Sequence, residues 1–296
     1  MAGAPPALQA AIDGRAVDRA LRAPLLAALA AEVEELDVRA FLADPGKRAR
    51  ILADLARSMD IDVLVLDSGS GWDARANGLV TDWTDGYPPA VRAGSAAEVR
   101  FDGSRGGAPV IVDLLRRAAA VVPQTTSLGV TLTGPAALAG AAGGRLTLTE
   151  AVQQVLAAAR LVAEAGAGMV IVREDGSARV DAGGYAAATA PLWGSLRFFR
   201  SAGVLHAHGA ADGWAAVLAR PGPFLPVFNP RASPAVADAM EGTSRSFGLA
   251  VTATASTPLS DLMASRRCAL LTHDVDLLGH VRIRDAQGVV AKMGSN

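Results

Sequence analysis

Seven short apolar runs, each closing on a polar or glycine-rich cluster and each divided from the next by a helical stretch, constrain this chain more than any other feature. They cover residues 62–66, 128–132, 169–172, 204–208, 224–228, 249–253 and 268–272. Continuous Val, Ile and Leu with no polar alternation is the pattern of strands buried on both faces, as in a parallel sheet. The intervening stretches, residues 46–59, 110–122, 147–165, 185–201, 211–219, 233–247 and 258–265, carry helical spacing and start signals: Asp44-Pro45, Thr147 followed three residues on by Glu150, and Ser233-Pro234. An N-cap residue before Pro or three before Glu opens a helix because it satisfies the first unpaired N–H groups. A further strand is expected near residue 25, within the apolar run Pro24–Ala30. Eight such units in about 300 residues fit a closed (β/α)8 TIM barrel with an N-terminal helical extension over residues 1–60. A doubly wound open sheet is the competing arrangement, but no Gly-x-Gly-x-x-Gly and no Gly-x-x-x-x-Gly-Lys-Ser/Thr is present to mark a nucleotide site.

The whole chain, 1–296, reads as one domain, with 51% apolar residues to fill its core. Residues 72–107 interrupt the rhythm: rich in Gly, Asp, Trp and Pro and without a helical period, they read as a long loop or lid with a short hairpin near Val99–Phe101. With 28 basic and 29 acidic side chains the net charge is −1, which gives no electrostatic footprint for nucleic acid or an anionic membrane. The single cysteine, Cys268, excludes a disulfide framework and suits a reducing, cytoplasmic setting. The N-terminus lacks the basic start and apolar stretch of a signal peptide. A small-molecule substrate is therefore the expected partner.

In a parallel barrel the chemistry gathers at the C-terminal strand ends. There the sequence places Asp67, Thr133, the trio Arg173, Glu174 and Asp175, the pair His206 and His208, Asn229 with Arg231 beyond it, and His273 followed by Asp274 and Asp276. His206 and His208, two apart on one strand, share a face. If that face is the lumen they form half of a metal site. His273 and Cys268 compete for third ligand; His273 closes its strand and Cys268 opens it, so position favours His273, while Glu174 is a further candidate, through oxygen. A metal-free catalytic or substrate-binding role for the same histidines is an equal alternative, and two hydrogen-bonded structural histidines the plainest one. Cys268 is expected as a small core residue. Trp72, Trp83 and Tyr87 are expected either to pack the lid or to stack on substrate, and Arg75 and Arg231 to anchor carboxylates. His280, Arg282 and Arg284 lie in a tail expected as an exposed strand or a partner contact.

Taken in order, several stretches resemble the uroporphyrinogen decarboxylase superfamily, which includes corrinoid-dependent methyltransferases and cobalamin-independent methionine synthases. They are Ala11-Ile-Asp-Gly-Arg-Ala-Val-Asp-Arg19, Asp44-Pro45 with residues 62–67, Gly129-Val-Thr-Leu-Thr-Gly-Pro-Ala136, Ala163-Glu-Ala-Gly-Ala-Gly-Met-Val-Ile171 and Leu205-His-Ala-His-Gly209. The resemblance implies a barrel enzyme, commonly a homodimer, with its site on the top face. The zinc methyltransferase branch binds its metal through a His-x-Cys pair and a later Cys. Carried over, His206 matches the His, His208 stands at the first Cys, and Cys268 or His273 falls near the second. The implied activity is a zinc-dependent methyl or alkyl transferase with His206, His208 and His273 as ligands. In the decarboxylase branch an Asp ends strand 2, and Asp67 matches it. That reading is a metal-free lyase in which Asp67 holds a developing cation, a histidine moves the proton, and Arg75 or Arg231 holds carboxylates. The Arg-rich N-terminal signature of that branch is absent. In either case Asp67, Glu174, His206, His208 and His273 are the expected catalytic residues, and Trp72, Arg75, Asn229 and Arg231 the expected substrate contacts. A non-catalytic barrel subunit is the third alternative. A His-x-His hydrolase of the amidohydrolase type is disfavoured because that pair belongs on the first strand, and here it lies on the fifth.

Overall fold

The apolar runs form the strands that their composition calls for. A computed structural model describes residues 3–59, 61–83, 89–92, 98–176, 178, 180–209, 211–251 and 267–273. In chain order, α1 (Pro6–Ile12) leads to β1 (Leu21–Arg22), α2 (Ala27–Val33), α3 (Val38–Ala43), α4 (Pro45–Met59) and β2 (Val63–Asp67). Then come α5 (Trp72–Ala76), the small hairpin β3 (Thr81–Asp82) and β4 (Ala90–Val91), α6 (Ala108–Val121) and β5 (Ser127–Thr133). The remainder is α7 (Pro135–Ala141), α8 (Leu148–Glu164), β6 (Met169–Asp175), α9 (Ala182–Phe198), β7 (Ala202–His208), α10 (Ala215–Ala219), β8 (Leu225–Phe228), α11 (Pro234–Glu241), β9 (Phe247–Val251) and β10 (Cys268–His273).

Eight of these strands make one parallel sheet in the order β1-β10-β9-β8-β7-β6-β5-β2. A parallel bridge from Leu25 to Val65 brings the chain after β1 against β2, so the sheet closes on itself as a (β/α)8 barrel. Alternation along the strands builds two cores. Leu128, Val130, Leu132, Val170, Val172, Leu205, Phe228, Leu249 and Leu271 face the helices, whereas Val63, Val65, Met169, Ile171, Val204, Leu225, Val227 and Leu270 fill the lumen. Leu8 and Ala11 of α1 join the lumen cluster, so this helix plugs the barrel. The Thr147 side chain and Glu150 form the expected capping box on α8.

The structure departs from the sequence reading at three places that matter for the site. The first strand is Leu21–Arg22, with the expected extended pairing at Leu25 reduced to a single parallel bridge to Val65, and Ala27–Ala30 are helical instead, because Ala and Leu favour a helix and no β-branched residue opposes it. The described residues between 72 and 107 are not plain loop: they hold α5 and the paired β3 and β4, and residues 98–107 lead directly into α6. Among the described residues no strand forms at Val99–Phe101; Arg100 N–H donates to Asn77 O and Phe101 N–H to Gln154 Oε1, which pins the segment to its neighbours. Finally, Pro135 starts α7 directly after β5. The expected helix at 258–265, together with Tyr87, Asp274, Asp276, His280, Arg282 and Arg284, lies outside the described residues.

Candidate functional site

The strand registers stack the lumen in layers. Thr131, Ile171, Val204 and Leu225 are successive partners around the wall and mostly apolar. One pleat higher the row reads Thr133, Arg173, His206, Val227, and above it Asp175 pairs with His208. The lumen thus turns polar at the C-terminal ends of β5, β6 and β7, where the barrel geometry places a site. A cavity of about 240 Å³ opens there, lined by Asp67, Asp73, Thr131, Thr133, Arg173, Asp175 and His208, with Pro89 and Val91 of the hairpin at its rim. His206 is buried beneath His208, its ring centroid 6.1 Å away, so the two side chains share the lumen face.

Two aspartates enter this cavity with different partners. Asp67 is fully buried and forms an ion pair with Arg48 Nη2 of α4 at 2.8 Å, while its other oxygen accepts from Gly69 and Ser70 N–H at 3.1 Å each. The Gly-Ser loop after β2 is therefore folded around this carboxylate. Asp73 sits on α5 and accepts from Thr133 N–H at 2.6 Å, tying the lid segment to the end of β5. Burial raises its pKa against that hydrogen bond, and the Asp67 charge adds to the rise. No spacing signal in the sequence marks Asp73; its role depends on a five-residue helix inside a segment without periodicity. Arg173 donates to Ser68 O at 2.9 Å and keeps its guanidinium in the same layer.

Glu174 has one parity step against it. Arg173 and Asp175 face the lumen, so Glu174 points between the sheet and the helices. There it accepts from Ala136 N–H at 3.1 Å, Ala137 N–H at 2.8 Å and the Tyr185 hydroxyl at 2.8 Å. A Cβ on Gly134 would overlap its carboxyl group, which explains the glycine of the Thr-Gly-Pro turn. Burial pushes Glu174 up to about 7 despite these three donors. It anchors the first turn of α7 and is also among the residues that line the cavity.

The remaining expected residues separate from this group. Asn229 is buried and accepts from Arg231 and Ala232 N–H at 3.1 and 3.4 Å, so it shapes its own turn, and Arg231 is exposed. Trp72 is buried, with its indole N–H donating to Thr131 O at 3.3 Å; it packs the lid from behind. Arg75 donates to Ser70 O at 2.6 Å and lines a different pocket with Trp72. Cys268 packs in the outer core, where burial pushes its thiol up to about 12. His273 follows Leu271 by two positions and shares its outward face. Its Nδ1 accepts from Leu25 N–H at 3.4 Å, its Nε2 has no hydrogen-bond partner among the described residues, and burial lowers its pKa to about 4. A zinc site made of His206, His208 and His273 does not fit this geometry: parity sends His273 away from the lumen. Among the described residues no three His, Cys, Asp or Glu side chains are grouped to hold a metal ion. Among the same residues, no helix is long and apolar enough to cross a membrane.

No family model matches the sequence, and no curated protein does. Solved structures do match in fold. A methyltransferase from Methanosarcina mazei superposes with a TM-score of 0.76 at 14% identity, over 97% of each chain. A phosphonopyruvate hydrolase in complex with oxalate and Mg²⁺ superposes with a TM-score of 0.50 at 13% identity, over 97% of this chain and 83% of the other. These neighbours are barrel enzymes, and at such identities the likeness is one of fold.

Proposed function

We propose that the chain is an enzyme of the uroporphyrinogen-decarboxylase-like barrel type that transfers a methyl or other small alkyl group to or from a small anionic molecule. The observation that carries this reading is the polar layer at the ends of β5–β7, with Arg173, Asp73 and His208 around one cavity. Arg173 takes the anionic end of the substrate, by charge-assisted hydrogen bonds. Asp67 already has its counter-charge in Arg48, so it does not cancel that attraction. Asp73, whose pKa burial raises, donates a proton to the heteroatom as its bond to the alkyl group breaks, the alkyl group passes to an acceptor thiol, and His208 takes the proton that the thiol gives up; in the reverse direction each proton returns to the group it left. At about 240 Å³ the cavity is smaller than the roughly 300–1,000 Å³ that holds drug-sized ligands, which argues against a four-pyrrole substrate. The methyltransferase fold neighbour supports the transfer reading over the lyase.

The test is a panel of small carboxylates and sulfonates bearing ¹³C-methyl ethers, thioethers or amines, followed by NMR with and without a thiol acceptor. Transfer is expected, with KM raised about 10- to 100-fold in Arg173→Ala and kcat lowered with KM kept in Asp73→Asn. Release of CO₂ without alkyl transfer would move the assignment to the lyase. Elemental analysis belongs beside it: one zinc per chain, lost in His206→Ala/His208→Ala, would overturn this metal-free chemistry.

A further inference from the structure

Behind the lid segment lies a second pocket, of about 220 Å³, that the alkyl-transfer site does not use. Its wall holds three guanidinium groups, Arg39, Arg48 and Arg75, and two indoles, Trp72 and Trp83. It also includes Gly107, which precedes the 14-residue helix α6 and gives it no side-chain cap. A Cβ at Gly107 would collide with Trp72 and crowd the Arg75 guanidinium, so the glycine is what lets a cation and a helix N-terminus meet here. Arg48 is 1% exposed, and its Nε has no hydrogen-bond partner among the described residues. A buried N–H of a charged group without an acceptor is costly, and an oxygen ligand in the pocket would satisfy it. The Arg39 guanidinium lies 5.0 Å from the Trp83 ring, which pre-sets it at the mouth.

We infer that this pocket is a binding site for a phosphate-class oxyanion, held by Arg39, Arg48 and Arg75 at the N-terminus of α6. The N-terminus of α6 contributes a positive potential rather than N–H donors, since Ala108 N–H already donates to Arg105 O and Pro109 has none, so the direct donors are the guanidiniums. Arg48 Nη1 and Nη2 already donate to Leu42 O, Leu66 O and Asp67, and Arg75 Nη1 to Ser70 O, so the donors offered to the anion are Arg48 Nε, the rest of the Arg75 guanidinium and the exposed Arg39, enough for several oxygens of a phosphate group. The pocket is one ion pair away from the alkyl-transfer cavity: Arg48 lines the first and bonds Asp67, which lines the second, at 2.8 Å. An oxyanion on Arg48 Nε shares the guanidinium whose Nη2 holds Asp67, so occupancy of one pocket changes the charge felt in the other.

The site is tested on the full chain by calorimetric titration and thermal unfolding with inorganic phosphate, pyrophosphate and phenyl phosphate, against sodium chloride at matched ionic strength. Phosphate is expected to bind and to raise Tm beyond the chloride control. Arg39 is exposed, so Arg39→Ala leaves the fold intact, and Arg75→Gln keeps a polar side chain of similar reach; each is expected to weaken binding about tenfold. Phenyl phosphate binding more tightly than phosphate, with quenched indole fluorescence that Trp83→Phe reduces, would identify a phosphate ester of an aromatic molecule as the ligand. Arg173→Ala, in the other cavity, is expected to leave phosphate affinity unchanged. Equal stabilisation by chloride, or equal phosphate affinity in Arg39→Ala/Arg75→Gln, would overturn the assignment. Loss of alkyl transfer with phosphate binding intact would count against the function proposed above and leave this site standing.

Discussion

The two sides of the barrel mouth use the same residue types for opposite ends. On the β2–β5–β6–β7 side, Asp67, Asp73, Arg173 and His208 converge on open volume. On the β8–β10–β1 side, Asn229 folds its own turn and His273 is buried against Leu25 N–H. Both sides place polar side chains at strand ends, and sequence position does not distinguish them. What distinguishes them is parity and local hydrogen bonding. Arg173 and His206 fall on the lumen face by even steps from Ile171 and Val204, while Glu174 and His273 each fall one step off it. A strand-end residue is available for chemistry only if it faces inward and its own loop does not consume its hydrogen-bonding capacity.

The largest effect that tests this contrast is on the cavity side. Asp67→Ala leaves Arg48 buried without its counter-charge, and breaking a buried pair in this way costs about 3–5 kcal/mol. Urea unfolding should show that loss, and a double change to Asp67→Leu with Arg48→Met should recover most of it. A loss below about 1 kcal/mol in the single variant would mean that the pair is solvated, and would return Asp67 to the groups free to act on substrate.

Next in size is a pair of opposed pH dependences. Glu174 is raised from 4.5 to about 7, so its contribution is full below pH 4.5 and is lost as pH rises through 7. His273 is lowered from 6.5 to about 4, so its contribution is full above pH 6.5 and is lost as pH falls through 4. Each amounts to about 3 kcal/mol, and in the shared window they offset one another. These two groups together leave stability nearly flat from pH 4.5 to 6.5, and the raised Asp73 adds a fall as pH rises, which Asp73→Asn removes. His273→Leu should unmask stability that falls as pH rises, and Glu174→Gln stability that rises with it. Parallel slopes in the two variants would show that one of the two groups is not buried as described.

Much of the architecture was legible because a parallel barrel writes itself as repeated Val/Ile/Leu runs with capped helices between, as at Met169–Val172 and Thr147–Glu150. The short first strand was not, since two residues leave no periodicity and the Ala-rich run beside them is helical. Within the site, His206 and His208 could be assigned a shared face from spacing alone. Asp73 and Arg48 could not be found, because an ion pair between α4 and the end of β2, and a hydrogen bond from a lid helix to β5, are tertiary facts without a local signature. His273 was assigned to the mouth by its place at the end of β10; the register shift between Cys268 and Leu270 makes lumen parity there unreadable from sequence.

The smallest expected effect is on the far side and sharpens the contrast most cleanly. Asn229 accepts two backbone N–H groups two and three residues ahead, the pattern by which an Asn stabilises its own turn. Asn229→Ala removes the one oxygen that accepts both N–H groups, at a site where solvent reaches Arg231, so water replaces part of what is lost. A destabilisation of about 1 kcal/mol is expected, with the affinity of the cavity for small carboxylates unchanged. Asn229→Asp, which keeps the acceptor oxygen, should restore stability. If carboxylate affinity fell in Asn229→Ala while Asn229→Asp restored stability alone, the amide would be touching substrate. The polar layer would then extend past β7 to β8, and the two sides of the mouth would be one site.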